Sequence, residues 1–145
     1  MIWTLRVKCV WGAYLEDECV RVIEIGSEAT LYDVHEAIQT PVDFDRDHLH
    51  EFFAGRHCRH RKLMFEDEFS DMCDPYRYDE ISLEDVYPLP KGLKLYYHFD
   101  FGDDWYFEIR KSRKKPKDPE PGVKYPRVVE EIGPNPEQYP SWEDE

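Results

Sequence analysis

Two runs of alternating apolar residues on either side of a short acidic turn constrain this chain more than any other feature. Leu93, Leu95, Tyr97 and Phe99 recur at every second position, and Trp105, Phe107 and Ile109 resume the pattern six residues later. A period of two is that of a strand with one face in a core. Two such strands joined by five residues predict a β-hairpin, and a hairpin with one apolar face needs further strands beside it and a layer packed on it. The connection, Asp100-Phe101-Gly102-Asp103-Asp104, has turn chemistry. Gly102 supplies the positive φ such a turn needs, and Asp100 or Asp103 accepts hydrogen bonds from turn amides.

The rest of the chain supplies the partners. Residues 2–11 alternate, with Trp3, Leu5, Val7, Cys9 and Trp11 expected on one face, and CVRVIEI follows GAYLEDE to make a second hairpin. In TLYDVHEAIQTP, Leu31, Val34 and Ile38 fall at helical spacing, Thr30 and Asp33 form a capping box, and Pro41 is expected to close the helix. HLHEFF and HRKLMF read as two more strands, followed by an acidic loop over 66–80 and a helical turn, SLEDVY, opened by Ser82 and capped by Asp85. The expected fold is α+β: a mixed, largely antiparallel sheet of hairpins with one main helix packed on it.

Composition enters at the C-terminal end. Seven of the chain's 11 prolines lie between Pro116 and Glu145, where apolar periodicity stops, so residues 1–115 are expected as one domain and 116–145 as an extended, partly docked, acidic tail. The formal net charge of -13 repels a phosphate backbone over most of the surface, which argues against non-specific duplex binding and for a basic protein or peptide as partner. The six basic residues of RKSRKKPK, 110–117, are expected to pair within the chain before they meet phosphate. The N-terminal run MIWTLRVKCVW carries Arg6 and Lys8 and reads as a strand rather than a leader; no stretch has the length of a membrane span. Cys9, Cys19, Cys58 and Cys73 form no Cys-x-x-Cys pair, and free thiols in the cytoplasm are the expectation.

Three groups of residues carry possible chemistry. Asp100-Phe101-Gly102 matches the tripeptide that positions magnesium in protein kinases, yet the glycine-rich loop, the strand lysine and the His-Arg-Asp loop of a kinase are lacking. Asp100, Asp103 and Asp104 beside Trp105 form instead a candidate ligand-binding group, in which an indole next to carboxylates would hold a cation; a solvated turn with Trp105 in the core is the simpler reading. His48 and His50, two apart on a strand and so on one face, are a candidate metal pair within a cluster that includes His57, Cys58 and His60. The spacing matches no standard zinc pattern, and strand histidines facing solvent or a polar core are the preferred reading. Neither a nucleophile elbow nor a phosphate-binding glycine loop occurs, and no cofactor is expected.

The order of these segments resembles the plasmid pRiA4b open-reading-frame-three family. The carriers are TLYDVHEAIQ, with Val34 where the family's Leu-His-x-x-Ile-Gln helix has leucine, HLHEFF at 48–53, YHFDFGDDW at 97–105 and KYP at 124–126. The resemblance implies an α+β domain similar to a β-grasp and a mobile-element association, without implying an activity. This chain departs from the pattern at Tyr106 and Phe107, where the family has Glu-His, and in its ending, PNPEQYP. The leading functional expectation is a non-catalytic binding or interaction module. The alternatives are a metal-dependent hydrolase of nucleic acid or phosphoester using His48, His50, Asp100 and Asp103, and a resolvase accessory protein.

Overall fold

A computed structural model describes residues 1–12, 15, 17–42, 50–65, 80–99 and 104–136. Seven strands form one open sheet: β1 (Ile2–Trp11), β2 (Val20–Gly26), β3 (His50–Gly55), β4 (Leu63–Met64), β5 (Lys94–Phe99), β6 (Trp105–Lys111) and β7 (Arg127–Ile132). Their order is β4-β3-β5-β6-β1-β2-β7, and every neighbouring pair is antiparallel. With helix α1 (Leu31–Val42) and the short α2 (Leu83–Val86), the architecture is α+β and mostly sheet.

The β5–β6 pair joins Phe99 to Trp105 and Leu95 to Ile109, in the register that the alternation requires. Leu95, Tyr97, Phe99, Trp105, Phe107 and Ile109 are all at most 1% exposed and belong to the main core under α1. The turn residues 100–103, including Gly102, lie outside the described part. At Gly12 the core comes so close that a Cβ would sit 2.1 Å from the Trp105 ring, so this position has room for glycine alone.

Both helices start as their capping residues dictate. The Asp33 carboxylate accepts from the Thr30 amide at 3.0 Å while the Thr30 hydroxyl accepts from the Asp33 amide at 3.2 Å. Ser82 and Asp85 do the same at 3.1 and 3.2 Å. α1 carries Pro41 in its last turn and ends at Val42, one residue beyond the proline expected to close it. The two helix starts are tied together, since Leu31 donates to the Ile81 carbonyl and Leu83 to that of Ala29.

Two expectations are corrected. Trp11 does not share the buried face of β1: it is 48% exposed, because the pairing with β6 shifts by one residue between Cys9 and Trp11 and turns the following side chain over. HRKLMF yields a strand of only two residues, Leu63–Met64.

The Pro-rich stretch supplies the edge strand. β7 pairs with β2 from Val20↔Ile132 to Glu24↔Arg127, and two buried charges hold it there. Glu24, on β2, takes Arg127 Nε at 2.6 Å and Lys117 Nζ at 2.7 Å. Arg21, 3% exposed, donates to the Ile132 carbonyl at 3.1 Å and to Asn135 Oδ1 at 2.7 Å. The hydrogen bond from Lys117 leads the effects that keep the Glu24 carboxyl below its ordinary range; burial opposes it and Arg127 adds to it.

Candidate functional site

Residues from the three central sequence motifs meet at one end of the sheet, on two different faces. On the face covered by α1, Tyr97 is fully buried and its hydroxyl lies 2.5 Å from His35 Nδ1 and 2.9 Å from Gln39 Nε2. Gln39 donates to the phenol oxygen, which leaves the phenol proton for His35. His35 and Gln39 sit four apart on the inner stripe of α1, so one phenol on β5 fixes the helix to the sheet. His50, opposite Phe99 in register, stacks its ring on His35 with centroids 3.9 Å apart and planes 8° from parallel. Burial, reinforced by the neighbouring His35, lowers His50 to about 3 and keeps its ring neutral. Ring lone pairs lie in the ring planes, so two parallel stacked imidazoles do not aim at a common ion.

The opposite face carries a second network. His98 Nε2 is 2.8 Å from Asp104 Oδ1 and its Nδ1 is 3.2 Å from Glu51 Oε1, so each ring nitrogen faces a carboxylate. Arg61 donates from Nε to the same Glu51 oxygen at 2.8 Å and from Nη2 to the Tyr106 hydroxyl at 3.0 Å. The His98 and Tyr106 rings stack 4.2 Å apart. Burial alone would push the Glu51 carboxyl up, but the hydrogen bonds from His98 and Arg61, with the guanidinium charge, outweigh it and hold the group low. Asp104, which closes the chain of carboxylate and imidazole groups at the surface, has φ 53, an uncommon backbone conformation for a residue with a side chain.

The residues singled out in the sequence are therefore separated. His50 lies on the α1 face and Asp104 on the other, with the sheet between them. Trp105 is a core ring at 0% exposure, which places it on the α1 face and away from Asp104. His48, Asp100 and Asp103 lie outside the described residues. Among the described residues no group of three or more His, Cys, Asp or Glu side chains is placed to hold a metal ion. Cys9, Cys19 and Cys58 are free thiols, the first two buried. His35, Gln39, Glu51, Arg61, Tyr97 and His98 were not singled out as candidates, although two polar residues on the buried stripe of α1, beside Leu31, Val34 and Ile38, signal a polar partner on the sheet.

On the α1 side a groove of about 860 Å³ lies between the helix and the clamped C-terminal segment. Asp33, Glu36, Ala37 and Thr40 line one wall at i, i+3, i+4 and i+7. Ile2, Ile23 and Ile25 make the floor, and Pro119, Tyr125 and Pro126 the far wall. Four carboxylates, from Glu28, Asp33, Glu36 and Glu131, line it against one guanidinium, Arg127, which Glu24 already engages. Three of the six basic residues of the run find partners inside the chain: Lys117 on Glu24, Arg110 on Glu108, and Lys111 over the Trp3 ring at 4.6 Å.

Comparison with known proteins places these features. Residues 7–138 match the family described as plasmid pRiA4b ORF-3-like protein. A crystal structure of a protein of unknown function from Methanosarcina mazei Go1 is similar, with a TM-score of 0.65 and 25% sequence identity over 90% of this chain and 68% of that one. No functionally curated protein matches.

Proposed function

The chain belongs to the plasmid pRiA4b ORF-3-like family, and from that premise we propose that it is a non-catalytic binding module whose ligand is a basic peptide segment with aliphatic side chains. The observation that carries this reading is the groove: an isoleucine floor rimmed by four carboxylates. Over the buried isoleucine floor, the exposed apolar lining of Val128, Pro119 and Pro126 with half-buried Tyr125 offers burial to aliphatic groups at roughly 25 cal/mol per Å². The rim offers Lys or Arg heads an opposite charge and disfavours acidic or phosphate-bearing partners. The His35–Tyr97–Gln39 network supports the same reading, because its polar groups are turned toward one another and fix on the sheet the helix that makes one wall of the groove. In the chain as a whole, the net charge of -13 steers a basic partner toward this surface.

The test is a titration of the full chain with a synthetic peptide of alternating Lys and Leu, followed by amide chemical shifts. Saturable shifts centred on Ile25, Ala37 and Val128, weakened about tenfold by Glu36→Lys and absent with a Glu/Leu peptide of equal length, are expected. Equal binding of the acidic peptide, or shifts that cluster away from the groove, would overturn the reading.

A further inference from the structure

A second concave site lies where β3 ends and β5 begins, and its chemistry is the reverse of the groove's. The loop 56–62 and the turn 90–93 enclose a pocket of about 420 Å³ lined by Arg56, His57, His60, Lys62 and Lys91, with Pro90 and Leu93 completing the wall. No carboxylate lines it among the described residues. In a chain with 32 acidic and 19 basic side chains, such a gathering of donors without an acid is unexpected.

The loop is built to hold this arrangement. β3 ends at Gly55, where a Cβ would lie 1.6 Å from the His60 carbonyl oxygen, so the loop closes over a glycine. His60 donates its amide to the His57 carbonyl and Lys62 donates to that of Ala54, each at 3.0 Å. Both imidazoles are fixed by the backbone: His60 Nδ1 accepts the Arg56 amide at 3.1 Å, and His57 Nδ1 accepts the Arg59 amide at 3.2 Å. Each Nδ1 being an acceptor, the ring proton sits on Nε2, and the pocket receives a donor from each ring. On the other side Gly92, with φ 83, turns the chain so that Lys91 faces the loop's basic residues across the pocket.

The cations of the loop divide by partner. Arg59 stacks over Trp11 and Arg61 is held by Glu51 and Tyr106. Arg56, Lys62 and Lys91 are in no ion pair with a described residue, and these are the ones at the pocket. Guanidinium, ammonium and Nε2–H groups only donate, so the ligand that satisfies them supplies acceptor oxygens and negative charge.

We infer that this pocket binds a compact oxyanion: inorganic phosphate or the terminal phosphate of a small phosphomonoester. Its volume is at the lower end of ligand pockets, roughly 300–1,000 Å³, and suits a phosphoryl group with a small body. A nucleic-acid backbone needs a longer track, and the neighbouring Lys94 and Arg110 are committed to Glu108.

Inorganic phosphate, then methyl phosphate, titrated into the full chain at constant ionic strength, tests the inference. Saturable movement of the His57 and His60 ring signals is expected, with affinity reduced about fivefold or more by Arg56→Gln and by Lys91→Gln, and unchanged by Lys115→Gln outside the pocket. All three positions are exposed, and thermal midpoints check that the variants stay folded; Lys62→Gln substitutes for any that does not. Three results would overturn the inference: shifts that never saturate, a loss as large in Lys115→Gln, or a preference for a single-stranded oligonucleotide that also engages the run from Arg110 to Lys115.

Discussion

The rings of His35 and His50 lie face to face, 3.9 Å between centroids, although the two residues come from a helix and a strand with different sequence neighbours. Two protonated imidazoles in this arrangement would repel in a poorly solvated space, so the contact disfavours charging both rings at once. His50 is accordingly lowered to about 3 by burial and by His35, against an ordinary value of 6.5. Between those values the unfolded chain binds a proton at this position and the folded one does not. Stability is therefore unaffected by His50 above about pH 6.5 and falls as pH drops toward 3, by about 1.4 kcal/mol per unit where only the unfolded chain is protonated. Denaturant midpoints measured from pH 7 to 4 should decline less steeply in His50→Phe than in the wild type. Parallel profiles would show that His50 does not titrate in this way.

Tyr97→Phe removes one oxygen atom from a position with no exposure. The ring stays packed against Phe52 and Phe107, but the Gln39 amide and His35 Nδ1 lose their partner. A destabilisation of about 1–3 kcal/mol is expected, the cost of leaving buried polar groups unmatched. Gln39→Leu in the Tyr97→Phe background should restore part of it, since removing both sides of a buried hydrogen bond costs less than removing one. Additive losses in the double variant would contradict the network.

Gly12→Val is expected to destabilise by about 1–3 kcal/mol, because its Cβ would overlap the Trp105 ring, which is locked in the core with 0% exposure. Trp105→Leu should relieve the clash, giving a non-additive pair in a double-mutant cycle. An additive pair would place Gly12 and Trp105 apart.

What was legible in the sequence is what is local. The β5–β6 hairpin follows from alternation over positions 93–109, and the two capping boxes from residues three apart. The edge strand was not legible, because RVVEEI lacks alternation and its place depends on pairing with β2 about a hundred residues earlier and on the contacts of Glu24 and Arg21. The surroundings of the candidate residues were hidden for a related reason. Asp104 and Trp105 are adjacent in sequence, yet Asp104, at φ 53 just before β6, turns its carboxylate to His98, while Trp105 at the start of β6 puts its ring in the core under α1. The links that do form, His35 to Tyr97 and Glu51 to His98, span 62 and 47 residues, and only the tertiary fold creates them.

The last prediction concerns the clamp that makes one wall of the groove. Glu24 holds Lys117 at one end of the C-terminal segment and Arg127 at the start of β7, while Arg21 holds Ile132 and Asn135 at the other end. Because the Glu24 carboxyl is lowered in the folded chain, its contribution is fully present above the ordinary carboxylate range and is lost as pH falls through the lowered value. Glu24→Gln leaves one oxygen to accept and removes the charge, so residues 117–128 should exchange amide protons faster and be cut sooner by protease at pH 7, while the Arg21 end retains more of its protection. Acidification of the wild type should reproduce the same asymmetric loosening. The wall made by Pro119, Tyr125 and Pro126 would then move, and binding of the Lys/Leu peptide should weaken without any change to the rim carboxylates of α1. Uniform protection along 117–135 in Glu24→Gln would show that strand pairing alone seats the segment, and the groove would not depend on the clamp.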